Sequence, residues 1–468
     1  MTDTVSRAAR FPRFTDRLRT ALGAPGAPLV LLGNFEVEEA WSAEELTLPR
    51  FSADSGAAVV NRMDEFTLLL AGEQDHVVLK SAPDPAYLAY LTALGLQLPQ
   101  IHAVAEHCRR PERTVTLDAL DDPELLERLG SLGRSGARLL PHGTSAAEKR
   151  LAERAGLPLA TPGAELCKRV NSKIYSRRLA EQLGLRLAPG WACETLDELA
   201  QAFEHARKLL GEGRRTVVKE AFGVSGKGIT MLDSERRMDR ILTMVAAQAR
   251  RSGRDRIAFV VEEWVENLGD LNYQFTVGKD GSVHFDFVKQ ALTEGGVHKG
   301  HRFPARLTDP QSAAIVEVAT LLGPLLAADG YHGVVGVDAL LTADGGVLPV
   351  VEINARNNMS TYQARLQEEL LGPDQVALAR HYPLRLDAEL GFDRLRTVLD
   401  GLVLDRPGGT GLLVNNFATV NAGRDLRPGE SFDGRLYAMV VAGSAAELTE
   451  IDEGVSARLA AEGVAGAR

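Results

Sequence analysis

Gly336-Val-Asp338-Ala-Leu-Leu341, then Gly345-Gly346, then Val350-Val-Glu352-Ile-Asn354-Ala-Arg356 is the stretch on which the reading turns. Val334–Leu341 is an apolar run interrupted by one acid, Asp338, and Val347–Ile353 is a second run interrupted by Pro349 and Glu352. The glycine pair between them signals a hairpin turn. Such a hairpin brings Asp338 beside Glu352 and Asn354. A carboxylate inside an apolar strand is costly to bury unless a cation pairs with it. Oxygen donors with no Cys or His beside them suit Mg²⁺, a hard cation usually bound together with nucleotide phosphates. The alternative is a set of acids at solvated strand ends. The apolar residues on either side argue against an exposed edge.

Composition bounds the class. A chain of 468 residues exceeds one hydrophobic core and implies roughly two to four domains. With 45% hydrophobic and 25% charged residues it reads as an ordinary soluble globular enzyme. A net charge of −10 speaks against non-specific nucleic-acid binding, while leaving room for a local basic pocket. Cys108, Cys167 and Cys193 form no metal-binding or redox spacing, which points to structural thiols in a reducing compartment. Met1–Arg10 has charges but no apolar centre, so no signal peptide is expected. The apolar region at about 313–341 carries Glu317, Asp329 and Asp338, which excludes a membrane span. The expectation is a cytoplasmic protein with no membrane or nucleic-acid partner.

Four segments differ in texture. In residues 1–165, candidate strands (Ala27–Leu32, Phe66–Leu70, His76–Leu79, Gly136–Leu140) alternate with helical stretches (Tyr87–Leu94, Ser145–Ala155), which predicts an open, mostly parallel sheet. Gly33-Asn34 after the first strand is a weak anion-binding signal and not a dinucleotide fingerprint. Residues 166–266 read as a small α+β unit. Residues 267–385 hold the opening hairpin, and residues 386–468 form a further α/β domain.

The second segment carries phosphate chemistry. Lys219 ends the β-branched strand beginning at Thr216, and Gly223-Val-Ser225-Gly226-Lys227-Gly228 follows. Glycines let backbone N–H groups approach an anion closely, and Ser225 adds a hydroxyl. An ordinary β-hairpin turn is the alternative, and the loop is no Walker A motif. Lys173 and Lys219 lie in apolar surroundings where an ammonium needs a partner, and phosphates would supply it. Glu262-Glu263-Trp264-Val265 ends an apolar strand. A backbone edge beside a carboxyl there suits a purine.

In this order the motifs resemble the ATP-grasp superfamily of carboxylate–amine ligases, over about residues 165–365. The resemblance implies an α/β protein with an ATP-grasp fold. Two α+β lobes (166–266 and 267–385) would grip ATP, preceded by a pre-ATP-grasp domain and followed by a small C-terminal α/β domain. By similarity, Lys173 and Lys219 contact ATP phosphates, and Gly223, Ser225, Gly226 and Gly228 form a lid over them. Glu262 takes the adenine amino group, Trp264 and Val265 frame the base, and Asp270, or else Glu266, takes the ribose. Asp338, Glu352 and Asn354 match the Mg²⁺ ligands, and Arg356 the cation near the transferred phosphate. The overall layout resembles the peptide ligases of the pheganomycin pathway. That implies antibiotic biosynthesis, in which a small carboxylic acid such as an α-guanidino acid is activated as an acylphosphate and coupled to a peptide amine. A phosphotransferase or carboxylase on the same fold, or a scaffold with a degenerate nucleotide site, are the rival readings. The C-terminal domain either closes over the acceptor or builds a homodimer.

Lys289 and His298-Lys299-Gly300-His301-Arg302 concentrate positive charge. The HxxH pair lacks a third ligand and is a poor zinc site. The cluster is either a solvated basic loop or an anion pocket for substrate, with Lys299, His301 and Arg302 as its candidates.

Overall fold

Leu29–Leu32, His76–Leu79, Gln100–Ala103 and Arg138–Pro141 form strands β1 to β4. The apolar runs of β1 and β2 are buried on both faces, as parallel strands covered by helices are. All pairings are parallel, in the order β3-β2-β1-β4. The chain is described here by a computed structural model covering residues 12–48, 56–223, 228–254, 256–294, 297–426, 429–464 and 466. Phe66–Leu70 does not form the expected strand. Met63–Phe66 is a 3-10 turn that runs into a helical turn at Thr67–Leu70, and both are buried. So short an apolar run has no period, and burial alone does not separate a strand from a buried helical turn.

Gly190–Thr195, Thr216–Glu220, Ile229–Leu232 and Arg256–Glu263 form strands β5 to β8 of a second, antiparallel sheet, in the order β5-β8-β6-β7. The helices Leu196–Gly211 and Glu235–Ser252 cover it, packing Leu199, Phe203, Met238 and Ile241 against Phe259 and Val261. Thr195 and Glu198 start the first helix with a reciprocal capping box.

The third sheet has eight strands. These are Asn267–Val277 (β9), Val283–Glu294 (β10), Val297–Phe303 (β11), Gly333–Thr342 (β12), Val347–Asn354 (β13), Val376–Leu386 (β14), Gly411–Asn416 (β15) and Phe432–Ala442 (β16). Their order is β13-β12-β9-β10-β11-β14-β16-β15. Strand β14 spans the junction expected at 385/386 and pairs with β11 on one side and β16 on the other. The sheet of the third segment therefore continues into the fourth. The helix Asp309–Ala328 is long and apolar enough to cross a membrane by length and composition alone. In this fold it buries Ile315, Val318, Leu322 and Leu326 in the core that also holds Tyr273, Phe275 and Ile353. The N-terminal and C-terminal segments share another core, where Tyr87 packs on Phe392 and Phe417. The second and third sheets line one cleft, which the first segment reaches through residues outside its strands, among them Phe35, Glu38 and His142.

Two buried acids make stability depend on pH. Neither carboxylate oxygen of Glu36 has a hydrogen-bond partner among the described residues, and burial raises its pKa to about 8. Burial raises Glu65 to about 7, although it accepts from the backbone N–H groups of Phe417 and Ala418. The folded chain holds these protons more tightly than the unfolded chain. Their contribution is complete below the ordinary value of 4.5 and is lost as pH rises toward about 8. The melting temperature should therefore fall across that range, and Glu36→Gln should flatten the fall. An unchanged slope in the variant would count against this assignment.

Candidate active site

The hairpin forms with the expected register. Asp338 lies opposite Glu352, and Gly336 opposite Asn354. Directly opposed residues share a face, so the two carboxylates and the amide come together on one side. Leu340, Leu348 and Val350 continue the wall of the same cleft as an apolar floor. Gly336 is required by what packs on it: a Cβ there would lie 2.3 Å from Asn358 Nδ2. Asp338 accepts hydrogen bonds from Asn272 Nδ2 at 2.8 Å and Asn354 Nδ2 at 3.3 Å. Asn272 is in turn held by the Ser360 hydroxyl at 2.8 Å.

Lys173 opens the helix Lys173–Gln182, which Ser172 caps by accepting from Ile174 N. That helix is fastened to β13 where Ser176 Oγ accepts from Ile353 N at 2.9 Å. Lys173 Nζ reaches Glu352 at 2.6 Å and the carbonyl of Gly223 at 3.0 Å. Lys219 pairs with Glu262, and Arg177 stands 3.6 Å from the same carboxylate. The partner each ammonium needs is thus a carboxylate, on the neighbouring strand β8 for Lys219 and on β13 for Lys173, a pairing that sequence spacing did not suggest. Arg356 is ion-paired with Glu38, donating to Oε1 from Nε at 3.0 Å, and also donates to Asn354 Oδ1 at 3.0 Å.

Charge at this point is out of balance. Glu38, Asp338 and Glu352 against Lys173 and Arg356 is three acids to two cations, one negative charge in excess. Burial raises the pKa of Asp338 and of Glu352, and neighbouring acids push Glu352 further. Burial alone would lower Lys173 and Arg356. The carboxylates around them outweigh it, so both stay charged. Among the described residues no three His, Cys, Asp or Glu side chains converge as a metal centre. Two carboxylates and an amide oxygen with one surplus negative charge nevertheless suit a hard divalent cation.

The cleft has a volume of about 970 Å³, at the upper end of the range for ligand pockets. Gly223, Glu262, Trp264, Val265, Glu266 and Asp270 line it with the two lysines. The Trp264 N–H is taken by the Arg215 carbonyl at 2.8 Å. Glu263 is held by Arg214 at 2.8 Å and turned to a structural use. Asp270 accepts from the Thr293 hydroxyl and from Asn267 at 3.2 Å, whereas Glu266 is exposed and paired with Arg215 at 3.1 Å. Gly228, with φ +78, bounds the glycine loop on its far side, and a Cβ there would meet the Glu220 carboxylate at 2.6 Å. Ser225 and Gly226 lie outside the described residues.

The basic cluster divides. Lys299 and His301 line the cleft. Arg302 does not: it follows His301 on β11 and so points to the opposite face. Lys289 belongs to no solvated loop. It is fully buried between the rings of Phe287 and Phe303, bonded to Ser360 O at 3.1 Å and Gln363 Oε1 at 2.9 Å. Burial holds its ammonium well below the usual range. Asn34 is no anion site either, since its side chain staples the Gly143 carbonyl at 2.7 Å and the His142 N–H at 2.9 Å.

Sequence reasoning missed Glu38, Asn272 and Asn358. Glu38 had a usable signal, because it follows closely on the carboxyl end of a parallel strand, where ligands of open α/β sheets bind.

Comparison with known proteins finds two domains in this chain. A pre-ATP-grasp domain model matches residues 63–157, and an ATP-grasp domain model matches residues 178–363. The [butirosin acyl-carrier protein]–L-glutamate ligase of Niallia circulans is 28% identical over 353 residues, spanning 75% of this chain and 77% of its own. The L-propargylglycine–L-glutamate ligase of Streptantibioticus cattleyicolor is 23% identical over 384 residues, spanning 77% of each chain. Among solved structures, an N5-carboxyaminoimidazole ribonucleotide synthetase bound to ADP superposes with a TM-score of 0.52 at 15% identity, over 92% of this chain and 96% of that one. The biotin carboxylase domain of the Hydrogenobacter thermophilus 2-oxoglutarate carboxylase gives a TM-score of 0.51 at 14% identity, over 89% and 86%. These two likenesses speak to the fold alone. With an acidic hairpin, two lysines and an apolar floor around one cleft, and with both domain models matched in order, the chain carries a pre-ATP-grasp domain followed by an ATP-grasp domain.

Proposed function

We propose that this protein is an ATP-dependent ligase that activates a carboxylate as an acylphosphate and joins it to an amine, with release of ADP and phosphate. The observation that carries the reading is the convergence of Lys173, Lys219, Asp338, Glu352, Asn354 and Arg356 on a single cleft. ATP-grasp enzymes use ATP with Mg²⁺. Bound by Asp338, Glu352 and Asn354, the metal would offset charge on the phosphates.

The chain's own residues supply the rest. Lys173 and Lys219 are held by carboxylates for which phosphate oxygens compete. By the resemblance, the loop Gly223–Gly228 with Ser225 and Gly226 would serve the phosphates, Glu262, Trp264 and Val265 the base, and Asp270 the ribose. Arg356, permanently charged and fixed by Glu38 and Asn354, stabilises negative charge as it develops on the transferred phosphoryl group or on the oxyanion formed when the amine attacks. Both curated relatives are named as L-glutamate ligases, which favours an amino acid as one partner. The finer reading is a cytoplasmic enzyme of peptide natural-product formation. Its acid would be an amino acid or an α-guanidino acid, and its acceptor the amine of a peptide.

Coupled ADP release tests the reaction class. With ATP, Mg²⁺ and a mixture of acids, ADP formation should rise when amines are added. A phosphotransferase or carboxylase would release ADP at the same rate without them, and that result would reject the ligase reading.

A further inference from the structure

The cleft has a second end, built by the C-terminal strands and opposite in charge. His301 on β11 faces Ala379 on β14, and His381 on β14 faces Tyr437 on β16. Arg435, two residues before Tyr437, shares its face. Asn415 sits at the register shift between β15 and β16, beside Tyr437. All of these line the cleft, as does Arg380, which is ion-paired with Asp452 at 2.9 Å. No acid on β14, β15 or β16 does so.

Two side chains here are left wanting. Asn415 is 3% exposed, and its Oδ1 accepts no hydrogen bond among the described residues. A buried acceptor without a donor is costly, and a ligand N–H recovers that cost on binding. Arg435 is half-buried and its guanidinium makes no ion pair or hydrogen bond among the described residues. Among the described residues the Tyr437 hydroxyl has only a 3.7 Å contact, with Met63 Sδ.

We propose that this end is the amine-substrate subsite, and that the substrate is an amino acid or peptide with a free carboxylate. The carboxylate meets Arg435, and an N–H of the same molecule donates to Asn415 Oδ1. The inference rests on the ligase reading. The carboxylate to be activated has to meet the γ-phosphate beside Asp338, Glu352 and Arg356. A cation on the C-terminal strands is left over for a carboxylate that the reaction does not consume. The C-terminal segment then selects the acceptor, a use beyond completing the sheet.

Calorimetry on the full chain saturated with ADP and Mg²⁺ tests this, using a panel of L-amino acids and dipeptides and the same panel as C-terminal amides. Free carboxylates should bind roughly ten- to a hundredfold more tightly than their amides, the worth of one charge-assisted contact. Arg435→Gln should erase that preference by weakening the free acids, with ADP affinity unchanged. Asn415→Leu should weaken the same ligands several-fold while keeping or raising the melting temperature, which loss of a purely structural amide would not do. Amides that bind as well as free acids, a preference that survives in Arg435→Gln, or no binding by any panel member would each overturn the subsite. If ADP release still depends on some other amine, the ligase reading stands and only the subsite falls. If no amine stimulates it, the ligase reading falls as well.

Discussion

Asp338→Asn is expected to lower turnover by on the order of a thousandfold without lowering the melting temperature. Asp338 is buried directly opposite Glu352 on the neighbouring strand, and burial raises both pKa values. Two adjacent buried carboxylates work against folding in the absence of a cation. An amide of the same shape removes one of those charges and still accepts from Asn272. The folded chain therefore loses little, while the oxygen set facing the phosphates loses its charge. Such a separation of stability from activity is what a site built for ligand binding shows. Steady-state ADP formation and thermal melting on the same preparation check it. A variant that melts early and keeps its activity would mark Asp338 as a structural residue.

Arg356 should behave in the opposite way. Its side chain is 10% exposed and that of its partner Glu38 is 7% exposed. Arg356→Met strands a buried carboxylate, which costs about 3–5 kcal/mol when one partner of such a pair is removed. Adding Glu38→Gln to make the double variant should restore most of that stability, since it removes the stranded charge. Turnover should stay down by roughly a hundredfold or more, because no cation then faces the developing charge. ADP binding should survive in the double variant, as Lys173, Lys219 and the base pocket are untouched. Denaturant titration, ADP calorimetry and turnover separate the three effects. Normal turnover in the double variant would place Arg356 away from the reacting centre.

The two residues illustrate what a linear reading reaches. Asp338, Glu352 and Asn354 were legible because strand period and a glycine turn determine which side chains meet across a hairpin. Lys173 was legible for a similar local reason, a serine cap placing it in the first turn of a helix. Glu38 was not, since 318 residues separate it from Arg356 and only the packing of the N-terminal segment joins them. Lys289 misled in the other direction. It is near His298–Arg302 in sequence, but it lies on β10 with its side chain turned into a core of aromatic rings. Phe66–Leu70 failed because five apolar residues fit a strand or a buried helical turn equally well. Continuity of the sheet from β11 through β14 to β16 was also out of reach, because pairing between distant strands leaves no local mark. That continuity is what brings Arg435 and Asn415 to the cleft.

The central claim is that a carboxylate is activated by phosphoryl transfer inside this cleft. The most direct measurement follows oxygen. An acid substrate labelled with heavy oxygen in its carboxylate is ligated with ATP, Mg²⁺ and an amine, and the released phosphate is analysed by mass spectrometry. An acylphosphate route predicts one labelled oxygen in phosphate for each amide formed, with ADP released in equal amount. Unlabelled phosphate accompanying amide formation would contradict the account.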